Sequence, residues 1–174
     1  AGTLDFGAIL ARHAGFQGQV TGADFVPAML QRGRHKAAGL QPVTADALAL
    51  PFPDASFDGA MVGWGMRNLV DLDEGLREAA RVLRPGARLA ILEMSIPERQ
   101  PMRGLFLWYF EQVLPRIGRL LSHHATAYQW LPDSTRVFPG TAAVAERMQL
   151  AGFGSIEIRC FLGGCTALHV GVRQ

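Results

Sequence analysis

Two nearly uninterrupted apolar runs, FDGAMVG (57–63) and ARLAILEMS (87–95), bracket a segment with one apolar helical face. Runs of that kind belong to strands covered on both sides, as in a parallel sheet, and a parallel pair needs a crossover of about a dozen residues or more. The intervening segment supplies it. Asp71 followed three residues later by Glu74 resembles a capping box, Leu72, Leu76, Ala79, Ala80 and Leu83 mark one face, and Pro85-Gly86 closes the helix.

The same alternation extends upstream. Residues 5–13 form a short helix and GQVTGADF (18–25) a strand. PAMLQRGRHKAAG (27–39) reads as a helix with Pro27 in its first turn and Gly39 at its stop, and PVTADA (42–47) as a strand. Downstream, the region 99–136 interrupts the rhythm with prolines and a dense aromatic cluster. Val144, Met148 and Ala151 then share a helix face that ends at Gly152. SIEIRCFL and CTALHVGV, joined by a two-residue turn at Gly163-Gly164, form an antiparallel hairpin that pairs Cys160 with Ala167. The pattern is α/β, a mostly parallel sheet with helices on both faces and an antiparallel hairpin at its end. A chain of 174 residues suits a single domain, with 99–136 as a helical insert on the substrate side.

A formal net charge of +2 is too small to argue for nucleic acid, and no apolar run approaches the ~20 residues of a membrane span. Two cysteines make neither a disulfide framework nor a metal site, and reduced thiols in a cytoplasmic protein are the plain reading. The adjacent His123 and His124 diverge and have no third ligand at a suitable spacing, so no metal is expected.

Ligands of open parallel sheets sit beyond the carboxyl ends of the strands, where Asp24, Asp46 and the segment 63–68 all fall. Asp24 at a strand tip has the acceptors for a ribose diol. Asp46 can take the exocyclic amine of adenine while the small Ala47 leaves room for the ring. Arg67 and Asn68 stand directly behind the buried strand 57–63; Arg67 either serves a reaction there or pairs with Asp71 or Asp73 to close the next helix. Glu93, near the end of its strand, either meets a substrate or caps a neighbouring loop. Tyr109 is expected to pack.

Three stretches, GADFVPAML, ADALALPFPDASFDGAMVGWGMRNLVD and REAARVLRPGARLAILEMSIP, resemble the class I S-adenosylmethionine-dependent methyltransferases with their Rossmann-like fold. GWGMRNLVD together with AYQWLPDSTRVFP (127–139) resembles, more narrowly, the C-methyltransferases of ubiquinone and menaquinone biosynthesis; AGF (151–153) and GGCTALHVGV extend the similarity to the C-terminus. The resemblance implies S-adenosylmethionine as methyl donor and cofactor-contacting places at Thr3, Asp24, Asp46, Ala47 and Gly63. It also implies a polyprenylated quinol as substrate, methylated on a ring carbon, with Arg67, Asn68 and Tyr128 at the reaction. A fixed guanidinium stabilises a developing ring oxyanion, or sharpens a water acting as base, whereas arginine, a donor without an acceptor, is itself a poor base. A methyltransferase for another small apolar acceptor and a nucleotide-binding module without turnover stand as alternatives.

Two positions depart from the family pattern. Leu4 stands where the family has the second glycine of a G-T-G-D loop, and crowds the cofactor unless it points away. Gly63 replaces a residue that often carries a hydroxyl, leaving only backbone for that contact. Because the first recognisable element is a loop that in this family follows a strand, residues 1–174 are expected to belong to a longer protein whose first strand and N-terminal helices are missing. The neighbours of that strand are then left unpaired. Most of the insert 102–121, apolar with Arg103, Arg116 and Arg119 between, is expected to cover the sheet, and a subset of it either does the same or receives an isoprenoid tail and rests on an anionic membrane surface.

Overall fold

A computed structural model describes residues 1–114, 116 and 125–174, with side chains left undescribed over 125–130. The chain begins with α1 (Asp5–Ala11), β1 (Val20–Asp24), α2 (Pro27–Gly33) and β2 (Leu40–Thr44). β1 and β2 pair in parallel, Val20 opposite Leu40 through Asp24 opposite Thr44. Pro27 opens α2 as expected, but the helix stops at Gly33 rather than Gly39. Gly33 is buried against the Thr3 carbonyl and Leu4, and its own carbonyl closes a turn by accepting from Lys36 N at 2.9 Å. Gly39, at φ +82°, makes the bend into β2 instead.

The second half holds β3 (Phe57–Gly63), a single 3₁₀ turn (Met66–Asn68), α3 (Leu72–Val82) and β4 (Leu83–Met94). Asp71 caps α3 by accepting from Glu74 N at 2.9 Å. The reciprocal half of the box is not made, because the Glu74 carboxylate bonds Arg77. The sequence-based expectation that Pro85-Gly86 ends the helix also needs correcting. α3 ends at Val82, and Pro85-Gly86 lies inside β4 at an irregularity of the ladder. There Phe57 pairs with Leu83 but Gly59 with Arg88. Proline, lacking an N–H, is tolerated in a strand at such a break.

The region 99–136 is helical where described: α4 (Met102–Trp108) runs into a π-helical turn (Tyr109–Val113), and α5 (Ala125–Val137) follows. Phe106 and Phe110 stack at 4.3 Å between centroids. His123 and His124 lie outside the described residues. The chain ends with α6 (Thr141–Leu150), β5 (Phe153–Phe161) and β6 (Thr166–Arg173). Cys160 does pair with Ala167, and Gly163 and Gly164, at φ +67° and +98°, turn the chain as expected, with Cys165 N donating to the Leu162 carbonyl at 3.4 Å; the ladder itself stops at Phe161–Thr166. The turn is also tied to the end of β4: Ser95 N donates to the Cys165 carbonyl and Ser95 Oγ to that of Gly164.

Among the described residues two sheets form, β1-β2 and β3-β4-β6-β5. β3 and β4 are parallel, whereas β6 runs antiparallel between β4 and β5. β1 is paired only with β2, and β3 only with β4. The main core lies on the four-stranded sheet, where Leu76 and Ala80 of α3, Leu89 and Ile91 of β4, Val144 and Met148 of α6, and Phe153 of β5 are buried together. An ion pair between Arg147 and Asp73, 2.7 Å, joins α6 to α3. This core fixes the carboxyl ends of β3 and β4 side by side, Gly63 opposite Leu92.

Candidate active site

At the end of β1, Asp24 is a hub. Its Oδ2 accepts from Ala1 N at 2.9 Å and Gly2 N at 2.6 Å, and its Oδ1 accepts from Val26 N at 2.8 Å. Partial burial pulls the carboxyl upward, but these donors outweigh it and hold its pKa below the ordinary aspartate value. A carboxylate oxygen has two lone pairs, so Oδ1 keeps one for a further donor. The Asp24 carbonyl accepts from Ala45 N at 3.1 Å, which brings Asp46 and Ala47 alongside, both exposed. Asp46 Oδ1 holds its own turn through Leu48 N at 2.9 Å. Thr3 is half-buried and donates to Asp5 Oδ2 at 2.5 Å.

Leu4 does not crowd this crevice. Its backbone is left-handed, φ +62°, and its side chain turns into the space over Gly22, leaving it 1% exposed. A left-handed conformation costs a non-glycine residue about 1–2 kcal/mol, and burial of a leucine gains a comparable ~1.5–3 kcal/mol. The second departure has a local cause as well. A Cβ at Gly63 would collide with the Phe6 ring as it lies, so any side chain there requires that ring to move.

Beyond Gly63, Trp64 also has positive φ, +52°, and its ring lies 5.5 Å from that of Phe6. Its N–H is held by the Leu92 carbonyl at 2.8 Å, tying the turn to β4. Its carbonyl then faces the next turn and accepts from Arg67 Nη1 at 2.9 Å and Asn68 Nδ2 at 3.4 Å. Arg67 Nη1 also donates to Glu93 Oε1 at 2.5 Å, and Arg67 N to Glu93 Oε2 at 3.3 Å. Glu93 is 2% exposed and the Arg67 side chain 11%. Arg67 Nε is buried with no partner among the described residues.

Of the two readings of Arg67, closure of the next helix is therefore not the one observed. Asp71 caps α3 and Asp73 bonds Arg147, while Arg67 turns to Glu93 across the strand ends. Glu93 likewise does more than cap a loop. Tyr109 packs only in part: it is exposed and meets Phe110 edge-on at 6.1 Å. Tyr128 lies on α5, but its side chain falls outside the described ones. Thus Thr3, Asp24, Asp46 and Ala47 gather at one pair of strand ends, and Gly63, Arg67 and Asn68 at the other. Phe6 and Trp64 meet between them. Sequence reasoning passed over Phe6 and Trp64. It left Glu93 undecided, although a carboxylate inside the apolar run AILEM is a signal in itself.

The residue set fits a nucleoside bearing a ribose diol, since Asp24 ends β1 and Asp46 lies two residues beyond β2, which stops at Thr44 rather than at the expected 47. No group of three His, Cys, Asp or Glu able to hold a metal ion occurs among the described residues.

The family model described as the ubiE/COQ5 methyltransferase family matches residues 1–173. A demethylmenaquinone methyltransferase from Listeria monocytogenes is 39% identical over 99% of this chain and 75% of its own length. One from Staphylococcus aureus is 38% identical over 99% of this chain and 73% of its own. Among solved structures, a SAM-dependent methyltransferase from Thermotoga maritima superposes with a TM-score of 0.69. It shares 18% identity over 99% of this chain and 78% of that one, a likeness of fold.

Proposed function

The chain belongs to the ubiE/COQ5 methyltransferase family, and from that premise we propose that it transfers a methyl group from S-adenosylmethionine to a ring carbon of a polyprenylated quinol in menaquinone or ubiquinone biosynthesis. The observation that carries the reading is the Arg67 guanidinium, fixed at the strand ends by Glu93 and Trp64 and retaining a buried Nε–H with no partner among the described residues. Carbon methylation needs electron density pushed into the ring as a hydroxyl proton leaves. A preorganised donor aimed at the developing oxyanion lowers that barrier.

S-adenosylmethionine, when bound, supplies the methyl on a sulfonium. Asp24 and Asp46 would hold its ribose and adenine, with Thr3, Ala47 and the Gly63 backbone as further contacts. Arg67 would stabilise negative charge on a ring oxygen, Asn68 would orient the ring, and Tyr128 is the added candidate for handling the proton. A module without turnover drew its support from Leu4, which faces the core.

The tail and the membrane enter through α4 and the β5–β6 loop. Met102, Leu105, Trp108, Phe161 and Leu162 are exposed there, and a Cβ on Gly163 would press on Met102, so the two segments adjoin. Arg99 and Arg103 stand exposed beside them. An apolar surface with basic edges suits an isoprenoid chain and the face of an anionic bilayer. No helix of the described residues is long and apolar enough to cross a membrane. Shortening the isoprenoid tail of the quinol should raise KM more than it lowers kcat, because tail contacts exist equally in ground and transition states. Steady-state kinetics over a series of tail lengths tests this. A tail-free quinol with unchanged KM would sink the tail contact.

A further inference from the structure

Glu93 and Arg67 form an ion pair with almost no access to water, and such pairs seldom stabilise a fold. The loss of hydration commonly exceeds the Coulombic gain. Glu93 nevertheless has both oxygens engaged: Oε1 with Arg67 Nη1 and Met94 N, at 2.5 and 2.9 Å, and Oε2 with Arg67 N at 3.3 Å. A buried carboxylate that holds a guanidinium while two backbone N–H groups hold it calls for a reason at the strand ends that the pair borders.

Charge supplies the reason. Arg67 is bonded to the carbonyl of Trp64, immediately beyond Gly63, in the crevice proposed above to receive the cofactor. The methyl donor carries its reactive group as a sulfonium cation, and S-adenosylhomocysteine, left after transfer, is the neutral thioether without that methyl group and its charge. Two like unit charges about 8 Å apart at an effective dielectric of about 20 repel enough to shift an affinity more than tenfold. An uncompensated guanidinium would therefore disfavour the donor and leave the product untouched.

We infer that Glu93 is a positioning residue that cancels the charge of Arg67, so that the strand-end crevice admits a sulfonium cation beside a guanidinium. The inference rests on the proposed cofactor reading. It separates two tasks within one pair: Arg67 offers its N–H groups to a ring oxygen, and Glu93 removes the net charge that would otherwise repel the donor. Glu93 also fixes the rotamer of Arg67 from the neighbouring strand, which a loop residue would do less firmly.

The test is calorimetric titration of the chain with S-adenosylmethionine and, separately, S-adenosylhomocysteine. Glu93→Gln keeps the shape and one acceptor but removes the charge. Its affinity for S-adenosylmethionine should fall at least about fivefold while that for S-adenosylhomocysteine stays within about twofold, the smaller figure than above allowing for solvent screening. Adding Arg67→Gln to it should restore the parental ratio. If both ligands weaken equally, or neither does, Glu93 has only a structural role and the inference is overturned. Should Glu93→Gln not fold, Arg67→Gln alone decides. The ratio should then move toward S-adenosylmethionine, and an unchanged ratio overturns the inference. A parent chain that binds neither ligand would instead overturn the cofactor reading itself.

Discussion

Different roles are proposed for Arg67 and Asp24, one in the reaction and one in binding. Arg67→Ala removes the N–H groups held at the strand ends, and loss of one oxyanion donor typically lowers turnover ~100-fold or more. Thermal melting should show the variant folded while single-turnover rates fall; a folded variant with the parental rate would remove the oxyanion role. Asp24→Ala deletes a carboxylate that already collects three N–H donors and keeps a lone pair free. Charge-assisted bonds to a ribose are worth roughly 1–3 kcal/mol, so S-adenosylmethionine affinity should weaken by about that much in calorimetry. Equal affinities would take Asp24 out of the site. Asp24 was legible in the sequence because an acid at the tip of an apolar strand has a location as well as a chemistry. The partner of Arg67 was not. Its choice between Asp71 or Asp73 nearby and Glu93, 26 residues on, is made by the pairing of β3 with β4. Leu4 was legible as a departure, but its escape into the core depends on a left-handed backbone that no pattern of residues announces.

Elements were read best where hydrophobic pattern and stop signals agree, as in β3, which spans 57–63 as expected. They were misread where a stop signal sits inside a longer element. Gly39 and Pro85-Gly86 look like helix ends, yet Gly33 ends α2 because it packs on Thr3, and β4 absorbs Pro85-Gly86 at a break in its ladder. The placement of β6 between β4 and β5 is a matter of topology, invisible to local periodicity. That placement buries His169, whose Nε2 lies 3.0 Å from the Thr141 carbonyl at the start of α6 and whose Nδ1 has no partner among the described residues. Loss of hydration lowers its pKa, and the bond to Thr141 only partly opposes this. In the unfolded chain the imidazole gains its proton near the ordinary histidine value of about 6.5, while the folded chain resists until a lower pH. The unfolded state thus binds more protons in that window, so stability should fall as pH drops from neutrality through this range. Urea unfolding at several pH values should show the fall in the parent and a flatter profile in His169→Gln. The same slope in both would exclude His169 as its source.

For the molecule as a whole, Phe6 of α1 reaches Gly63 and Trp64 at the end of β3, and α4 with the β5–β6 loop offers an apolar, basic-edged surface. The α/β class and the placement of Asp24 and Arg67 at strand ends were legible because alternation of strands and helices leaves few topologies open. The helical character of 99–136 was expected as well, and α4 and α5 show it where described; the bounds of those helices were not legible, since the aromatic and apolar residues lack one clean periodicity. The central claim is carbon methylation of a quinol, and its most direct measurement is product identity. The chain would be incubated with S-adenosylmethionine labelled in the methyl group and a panel of reduced benzoquinones and naphthoquinones bearing isoprenoid tails. Products would then be weighed and fragmented by mass spectrometry. The expected result is a labelled quinone heavier than its precursor by one methyl in place of one hydrogen, with the label on a ring carbon and formed ~100-fold or more slowly when Arg67 is alanine. Label on a ring oxygen, or on an acceptor unrelated to quinones while every quinol is left unchanged, would contradict it.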